Sequence, residues 1–226
     1  MKLTKRKIAF CLSGAFLLCF LILILLLTFL DVRPIGPDLG AVGLAGANGW
    51  FATKIGHRET WERLTEVLGY LLLLEAAFFA GVGFFQWIRR KRLSAVDREM
   101  FFLAGLYVLT LLSYLFFDRI LVINCRPVLL DGELPQASFP SSHVLLSVCV
   151  PCSAIAMLPR LFADKPRLVL GGRIVSVLLA VITVAGRFLS GVHWFTDILG
   201  GLLLGGGLTA LFYALIMQEK TDAHTA

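Results

Sequence analysis

Apolar and polar positions along this chain fall into long blocks, not into the short periods of a water-soluble protein. A basic cluster at Lys2, Lys5, Arg6 and Lys7 precedes an uncharged run from Ile8 to Leu30. Secretory signals carry apolar regions of roughly 7–15 residues ending in small residues, whereas this run is longer and closes on Thr28-Phe29-Leu30-Asp31. It reads as a retained first membrane span. Further apolar blocks at Val67–Ile88, Phe101–Phe117, Pro140–Leu158, Ile174–Ala185 and Ile198–Met217 predict five more. The fifth is short, and reaches spanning length only if Arg173 snorkels and the helix continues toward Leu189. Arg89-Arg90-Lys91-Arg92 closes the second block, and Arg160, Lys165, Arg167 and Arg173 separate the fourth from the fifth. By the positive-inside rule these ends are cytoplasmic. The predicted fold is all-α, a six-transmembrane-helix bundle with both termini inside.

The stretches between and within the spans carry smaller signals. Asp31 to Arg63 is a mixed, glycine-rich segment punctuated by Pro34 and Pro37, with Trp50 and Trp61 at positions suited to a membrane interface. His57 within it is expected to be a solvated loop histidine. Glu75, near the middle of the second span, is expected to be protonated or paired inside the bundle. Pro151 is expected to kink the fourth span. Gly200, Gly201, Gly205, Gly206 and Gly207 give the sixth span the small-residue spacing of close helix packing. Val128–Ala137 is turn-like around Asp131-Gly132, and the polar tail Gln218–Ala226, with His224, is expected to be inert.

Composition agrees with a membrane protein. Of 226 residues, 58% are hydrophobic and only 16% charged, and the mean hydropathy is +0.84. Soluble domains average about 25% charged. The net charge of +6 falls between apolar runs, so it marks topology and not nucleic-acid binding. Cys11, Cys19, Cys125, Cys149 and Cys152 mostly lie inside apolar runs, where cysteine behaves as a small hydrophobe. Cys149-Val150-Pro151-Cys152 has redox spacing but lacks the strand-helix context of a redox centre.

Against that background, Asp118 to Asp197 is exceptional. Arg119, Arg126-Pro127, Phe139-Pro140-Ser141-Ser142-His143, Gly186-Arg187 and His193-Trp194-Phe195-Thr196-Asp197 all fall at ends of predicted spans. Ionisable groups are costly near a bilayer, so their clustering marks a functional site. If helix continues past Arg119, Arg126 lies seven residues on and shares its face, with Pro127 ending the helix there. Arg119, Arg126 and Arg187 supply forked cationic donors suited to phosphate oxygens. Ser141, Ser142 and the N–H groups of a helix start add neutral donors. His193 and Asp197, four apart, are neighbours on a helix; a carboxylate on one ring nitrogen leaves the other free to attack. His143 then serves as general acid. Taken singly, Arg119 or Arg187 reads as a snorkelling charge and His193 as an interfacial histidine. The histidines and aspartate could also ligate zinc, but no third His or Cys with metal-site spacing accompanies them.

Together these segments resemble the type 2 phosphatidic acid phosphatase superfamily, in its membrane lipid phosphate phosphatase branch. The family's motifs are Lys-x6-Arg-Pro, Pro-Ser-Gly-His and Ser-Arg-x5-His-x3-Asp. Here they stand as Arg119-x6-Arg126-Pro127, Pro140-Ser141-Ser142-His143 and Gly186-Arg187-x5-His193-x3-Asp197. Arg119 replaces lysine, Ser142 replaces glycine and Gly186 replaces serine. The resemblance implies His193 as nucleophile, Asp197 as its orienter and His143 as acid, with Arg119, Arg126, Arg187, Ser141 and Ser142 binding phosphate.

The expectation is a single integral membrane phosphatase domain over residues 1–226, motif-bearing over about 101–217, in a bacterial cytoplasmic membrane. Its site would face the extracytoplasmic side and need no metal or other cofactor. Substrates of the implied class are phosphatidate, phosphatidylglycerophosphate and polyprenyl diphosphate. A lipid phosphotransferase is the enzymatic alternative; an anion transporter or lipid-binding protein is the non-enzymatic one. Nothing points to nucleic acid, and the sequence is silent on oligomeric state. The topology has a direct test. Gly132→Cys should react with an impermeant thiol reagent in intact cells and Leu93→Cys should not; labelling at 93 alone would invert the arrangement.

Overall fold

A computed structural model describes residues 4–35, 40–128 and 136–217. The expected turn at Asp131-Gly132, the basic Lys2, Pro37 and the tail Gln218–Ala226 with His224 lie outside the described residues. Six long helices run back and forth: α1 (Lys5–Phe29), α3 (Glu59–Arg90), α4 (Arg98–Arg119), α5 (Ser142–Leu161), α6 (Pro166–Ser190) and α7 (Phe195–Ile216). Each is long and apolar enough to cross a membrane. The six-helix bundle expected from the apolar blocks is the fold observed, and the chain is a multi-pass membrane protein.

The bundle is built around α5 and α7, which are mostly buried, while α1, α3, α4 and α6 leave most of their apolar surface exposed. That division follows from a lipid solvent, in which outward Leu, Ile and Phe cost nothing and inward packing must come from shape. The glycines of α7 supply the shape. A Cβ on Gly200 would lie 2.4 Å from the Phe139 ring, one on Gly201 2.9 Å from Val144, and one on Gly205 2.9 Å from Val148. The opposite side of α7 meets α1, where a Cβ on Gly207 would lie 2.7 Å from Leu17. The close packing expected of this stripe is therefore observed on both sides. Two polar contacts link helices within the bundle: the Tyr107 hydroxyl lies 3.1 Å from Ser153 Oγ, and Ser176 Oγ donates to Glu75 Oε1 at 2.6 Å. Glu75 is thus paired across α3 and α6. Cys149 and Cys152 are free thiols.

The structure adds to or corrects four local expectations. The segment after α1 is not merely irregular: Arg33–Pro34 and Ala41–Val42 pair as the short strands β1 and β2, and Ala45–Ile55 forms helix α2. Its glycines hid that helix from propensity; tertiary contacts hold it, including Phe51 stacked on Phe195 with ring centroids 4.4 Å apart. Second, His57 is an exposed loop histidine as expected, and its Nε2 in addition lies 2.7 Å from Glu62 Oε2. Third, the fifth span is a full 25-residue helix beginning at Pro166. Proline is suited to the first helical position, and Arg173 Nε donates to the Ile155 carbonyl at 3.1 Å, so its charge interrupts nothing. Fourth, α4 ends at Arg119, far short of Arg126.

Gly191 connects α6 to α7 in the left-handed region, at φ 71°. A Cβ there would lie 2.1 Å from the Gly56 carbonyl oxygen, where the α2–α3 connection docks through Arg58 N–H to Ser190 O at 2.9 Å. Gly191→Ala should destabilise the protein by about 1–3 kcal/mol from the backbone alone, with the clash in addition. A fall in the thermal unfolding midpoint in detergent checks it; an unchanged midpoint would show that this turn is not under constraint.

Candidate functional site

Every motif residue lies at one end of the bundle, where α4 finishes, α5 begins, α6 finishes and α7 begins. Three connections converge there. The stretch Asn124–Arg126 runs antiparallel to Gln136–Ser138, with Arg126 N donating to Gln136 O at 3.0 Å and Ser138 N to Asn124 O at 2.9 Å. This pairing, not helical periodicity, brings Arg126 alongside Arg119. Both line a polar cavity of about 410 Å3 together with Ser138, Ser142 and His193. Arg119 sits at its rim, with its side chain 79% exposed and its Nε 2.8 Å from Asp118 Oδ2.

His193 precedes the first turn of α7, so its pairing with Asp197 does not come from helical spacing either. Asp197 is the third residue of α7, and its Oδ2 accepts from Trp194 N at 3.0 Å, closing the N-terminus of the helix. The same oxygen lies 3.5 Å from His193 Nδ1. That is an ion-pair separation, looser than a good hydrogen bond. Both His193 nitrogens are buried without a hydrogen-bond partner among the described residues. Burial holds His193 below its ordinary value; the Asp197 carboxylate pulls the other way, and the charges of Arg187 and Arg126 reinforce the lowering. The ring is therefore a neutral base with Nδ1 toward the carboxylate and Nε2 available.

The start of α5 contributes donors that its own capping leaves unused. Ser141 is the N-cap, yet its hydroxyl makes no capping bond and is buried without a partner among the described residues. The first-turn N–H groups that follow lack partners within the helix. Ser142 is the first residue of α5, in helical geometry, so replacing the family's glycine there strains nothing. Arg187, only 2% exposed, spans two neighbours. Its Nη2 lies 3.1 Å from His143 Nδ1 and its Nη1 donates to Thr65 Oγ1 at 3.1 Å. Arginine only donates, so His143 Nδ1 accepts and the neutral ring carries its proton on Nε2. Arg126 Nε and Arg187 Nε are also buried and unpartnered among the described residues. Buried polar groups are normally satisfied. This convergence of unsatisfied cationic and neutral donors around a neutral imidazole could hold an anion.

His143 faces a second space. An apolar groove of about 580 Å3 lies between α3, α4 and α5, lined by His143, Tyr70, Leu73, Leu111 and Leu146. Tyr114 and Ser142 border both groove and polar cavity. All eight side chains named from the sequence thus come to this end of the bundle, with Arg119 the most peripheral.

Sequence reasoning missed the residues that hold Asp197. Asn124 Nδ2 donates to Asp197 Oδ1 at 2.9 Å, and its Oδ1 accepts from Gly43 N at 3.3 Å. Asn48 of α2 joins Thr196, donating to its Oγ1 at 2.9 Å and accepting from its N at 3.2 Å. Both asparagines are fully buried. Asn124 had a signal, an amide directly after the apolar Ile120-Leu121-Val122-Ile123; Asn48, among glycines, had none. Ser138, buried with an unpartnered hydroxyl among the described residues, was also missed.

By NMR the His193 ring should titrate below the ordinary 6.5. Asp197→Asn removes the charge that raises it, so titration should move to still lower pH. An upward shift would contradict this balance of burial and charge.

Three comparisons with known proteins bear on the arrangement. The family model described as the PAP2 superfamily matches residues 75–221. A solved structure, a transmembrane PAP2-type phosphatidylglycerolphosphate phosphatase from Bacillus subtilis, aligns with a TM-score of 0.53 at 22% identity, covering 90% of this chain and 94% of that one. No curated protein matches. The likeness in structure carries the fold, and the family model carries more than half the chain: this protein belongs to the PAP2 superfamily.

Proposed function

We propose that the chain hydrolyses a phosphate ester or diphosphate on a membrane lipid, without a metal, through a phosphohistidine. The observation that carries this reading is the junction of the two spaces, with His193 in the polar cavity and His143 in the apolar groove. A phosphoryl group held between them has its attacking nitrogen on the wet side and its leaving oxygen on the lipid side. A diacylglycerol or prenyl chain then lies in the groove. The structural neighbour is a phosphatidylglycerolphosphate phosphatase, which is the reason to include that lipid in the test panel beside phosphatidate and polyprenyl diphosphate.

In the reaction, Arg126, Arg187, Ser141 and the first N–H groups of α5 hold the phosphoryl oxygens, and Arg119 screens charge from the rim. His193 Nε2 attacks phosphorus while Asp197 steadies the positive ring. The bond to the lipid oxygen breaks and His143 Nε2 delivers the proton to it. Water from the polar cavity then attacks the phosphohistidine, giving its proton to His143, and phosphate leaves with His193 restored. Preorganised donors are the main source of rate in phosphoryl transfer. The basic residues Lys5, Arg6, Lys7, Arg89–Arg92, Arg160, Lys165 and Arg167 sit at the opposite end of the bundle. That distribution supports an extracytoplasmic site.

Purified protein should release inorganic phosphate from at least one lipid of the panel. Phosphate appearing on a second lipid would mark a phosphotransferase, and binding without turnover a recognition protein. His143→Ala should lose about 10²–10⁴-fold on the lipid and less on p-nitrophenyl phosphate, whose leaving group needs no proton. His193→Ala should abolish both. Equal losses on both substrates for His143→Ala would remove it as the acid.

A further inference from the structure

The helix that carries no family motif closes the site. We propose that Thr65 of α3 is a positioning residue for Arg187, and that glycine at position 186 is what admits it. The inference rests on the phosphatase reading above, for the anion that Arg187 would hold.

Thr65 is fully buried. Its hydroxyl proton is directed to backbone carbonyls of its own helix, with Trp61 O and Glu62 O each at 2.9 Å. Its oxygen lone pairs are thereby left to accept, and one accepts from Arg187 Nη1. The guanidinium is pinned at two points, by Thr65 on α3 and His143 on α5. The rest of its fork, including Nε–H, stays free for an anion. Held so, Arg187 also keeps the His143 ring in one orientation.

Position 186 departs from the family's serine, and the reason lies in the same contact. A Cβ on Gly186 would lie 2.6 Å from Thr65 Cγ2 and 3.2 Å from Trp61 Cε3. A serine there would drive α3 from α6 and lift Thr65 from the guanidinium. Gly69, one turn further along α3, shows the same economy of space, for a Cβ on it would lie 3.0 Å from His143 Nε2. Helix α3 is thus the third wall of the phosphate site.

The test uses the full chain in lipid or detergent, with orthovanadate binding measured by calorimetry and kcat and KM measured on lipid. Thr65→Val keeps the shape and deletes the hydroxyl. It should weaken orthovanadate binding by about 10–100-fold, as expected for a hydrogen bond to a buried charge, with comparable loss of kcat/KM. Thr65→Ser should bind as wild type. Gly186→Ser should lose binding, and adding Thr65→Ser, which removes the clashing methyl, should restore it. Wild-type orthovanadate affinity in Thr65→Val overturns the proposal even if Gly186→Ser fails to fold. Failure of the phosphatase reading appears separately, as a wild type that binds orthovanadate but releases no phosphate.

Discussion

A buried carboxylate organises this end of the molecule. Asp197 is fully buried, and an unpaired charge in such a place would cost several kcal/mol. The chain meets that cost by bringing three groups to it. Trp194 N–H closes the first turn of α7 onto Oδ2, the Asn124 amide approaches Oδ1, and His193 stands at ion-pair distance. Asn124 in turn binds the turn before α2 through Gly43 and the approach to α5 through Ser138. Asp197's own backbone carbonyl accepts from Ser141 N at 3.0 Å. The group proposed to orient the nucleophile is therefore also the knot that joins the ends of α4, α5 and α7.

Much of this was legible before the fold was known. Long apolar blocks bounded by basic clusters permit only helices in a bilayer, because backbone groups have no water to bond. The candidate site was legible because ionisable residues stood out against an apolar background. What could not be read was how the pairs are made. Arg119 with Arg126, and His193 with Asp197, each had helical spacing, yet the first meet through an antiparallel pairing and the second through a helix cap. Helix α2 and its Asn48 escaped because a Gly-rich segment carries no periodic apolar face. Thr65 escaped because a threonine in a helix announces nothing until its partner from another helix is in place.

The two histidines look alike in sequence and sit in unlike surroundings. His193 has a carboxylate, which only accepts, beside Nδ1 and a polar cavity before it; His143 has an arginine, which only donates, on Nδ1 and an apolar groove before it. A carboxylate partner favours the proton on Nδ1 and exposes Nε2 as a lone pair. An arginine partner forces the reverse. The tautomers are thus set in opposite senses by the groups behind each ring, and one exposes a lone pair where the other bears a proton.

The same local physics explains how the fold accommodates three departures from the family pattern. Arg119 ends α4 and pairs with Asp118 at the rim, where a cation also complements the helix dipole; there charge matters more than the slender shape of lysine. Ser142 is in ordinary helical geometry, so glycine's freedom has no use at that position. Gly186 is the reverse case, since it makes room where the family carries a side chain, and Thr65 fills that room from α3. A hydroxyl absent from α6 has its counterpart on the facing helix, bonded directly to the guanidinium that the neighbouring motif residue supplies. In this chain, therefore, the hydroxyl beside the guanidinium is delivered by α3 and not by α6.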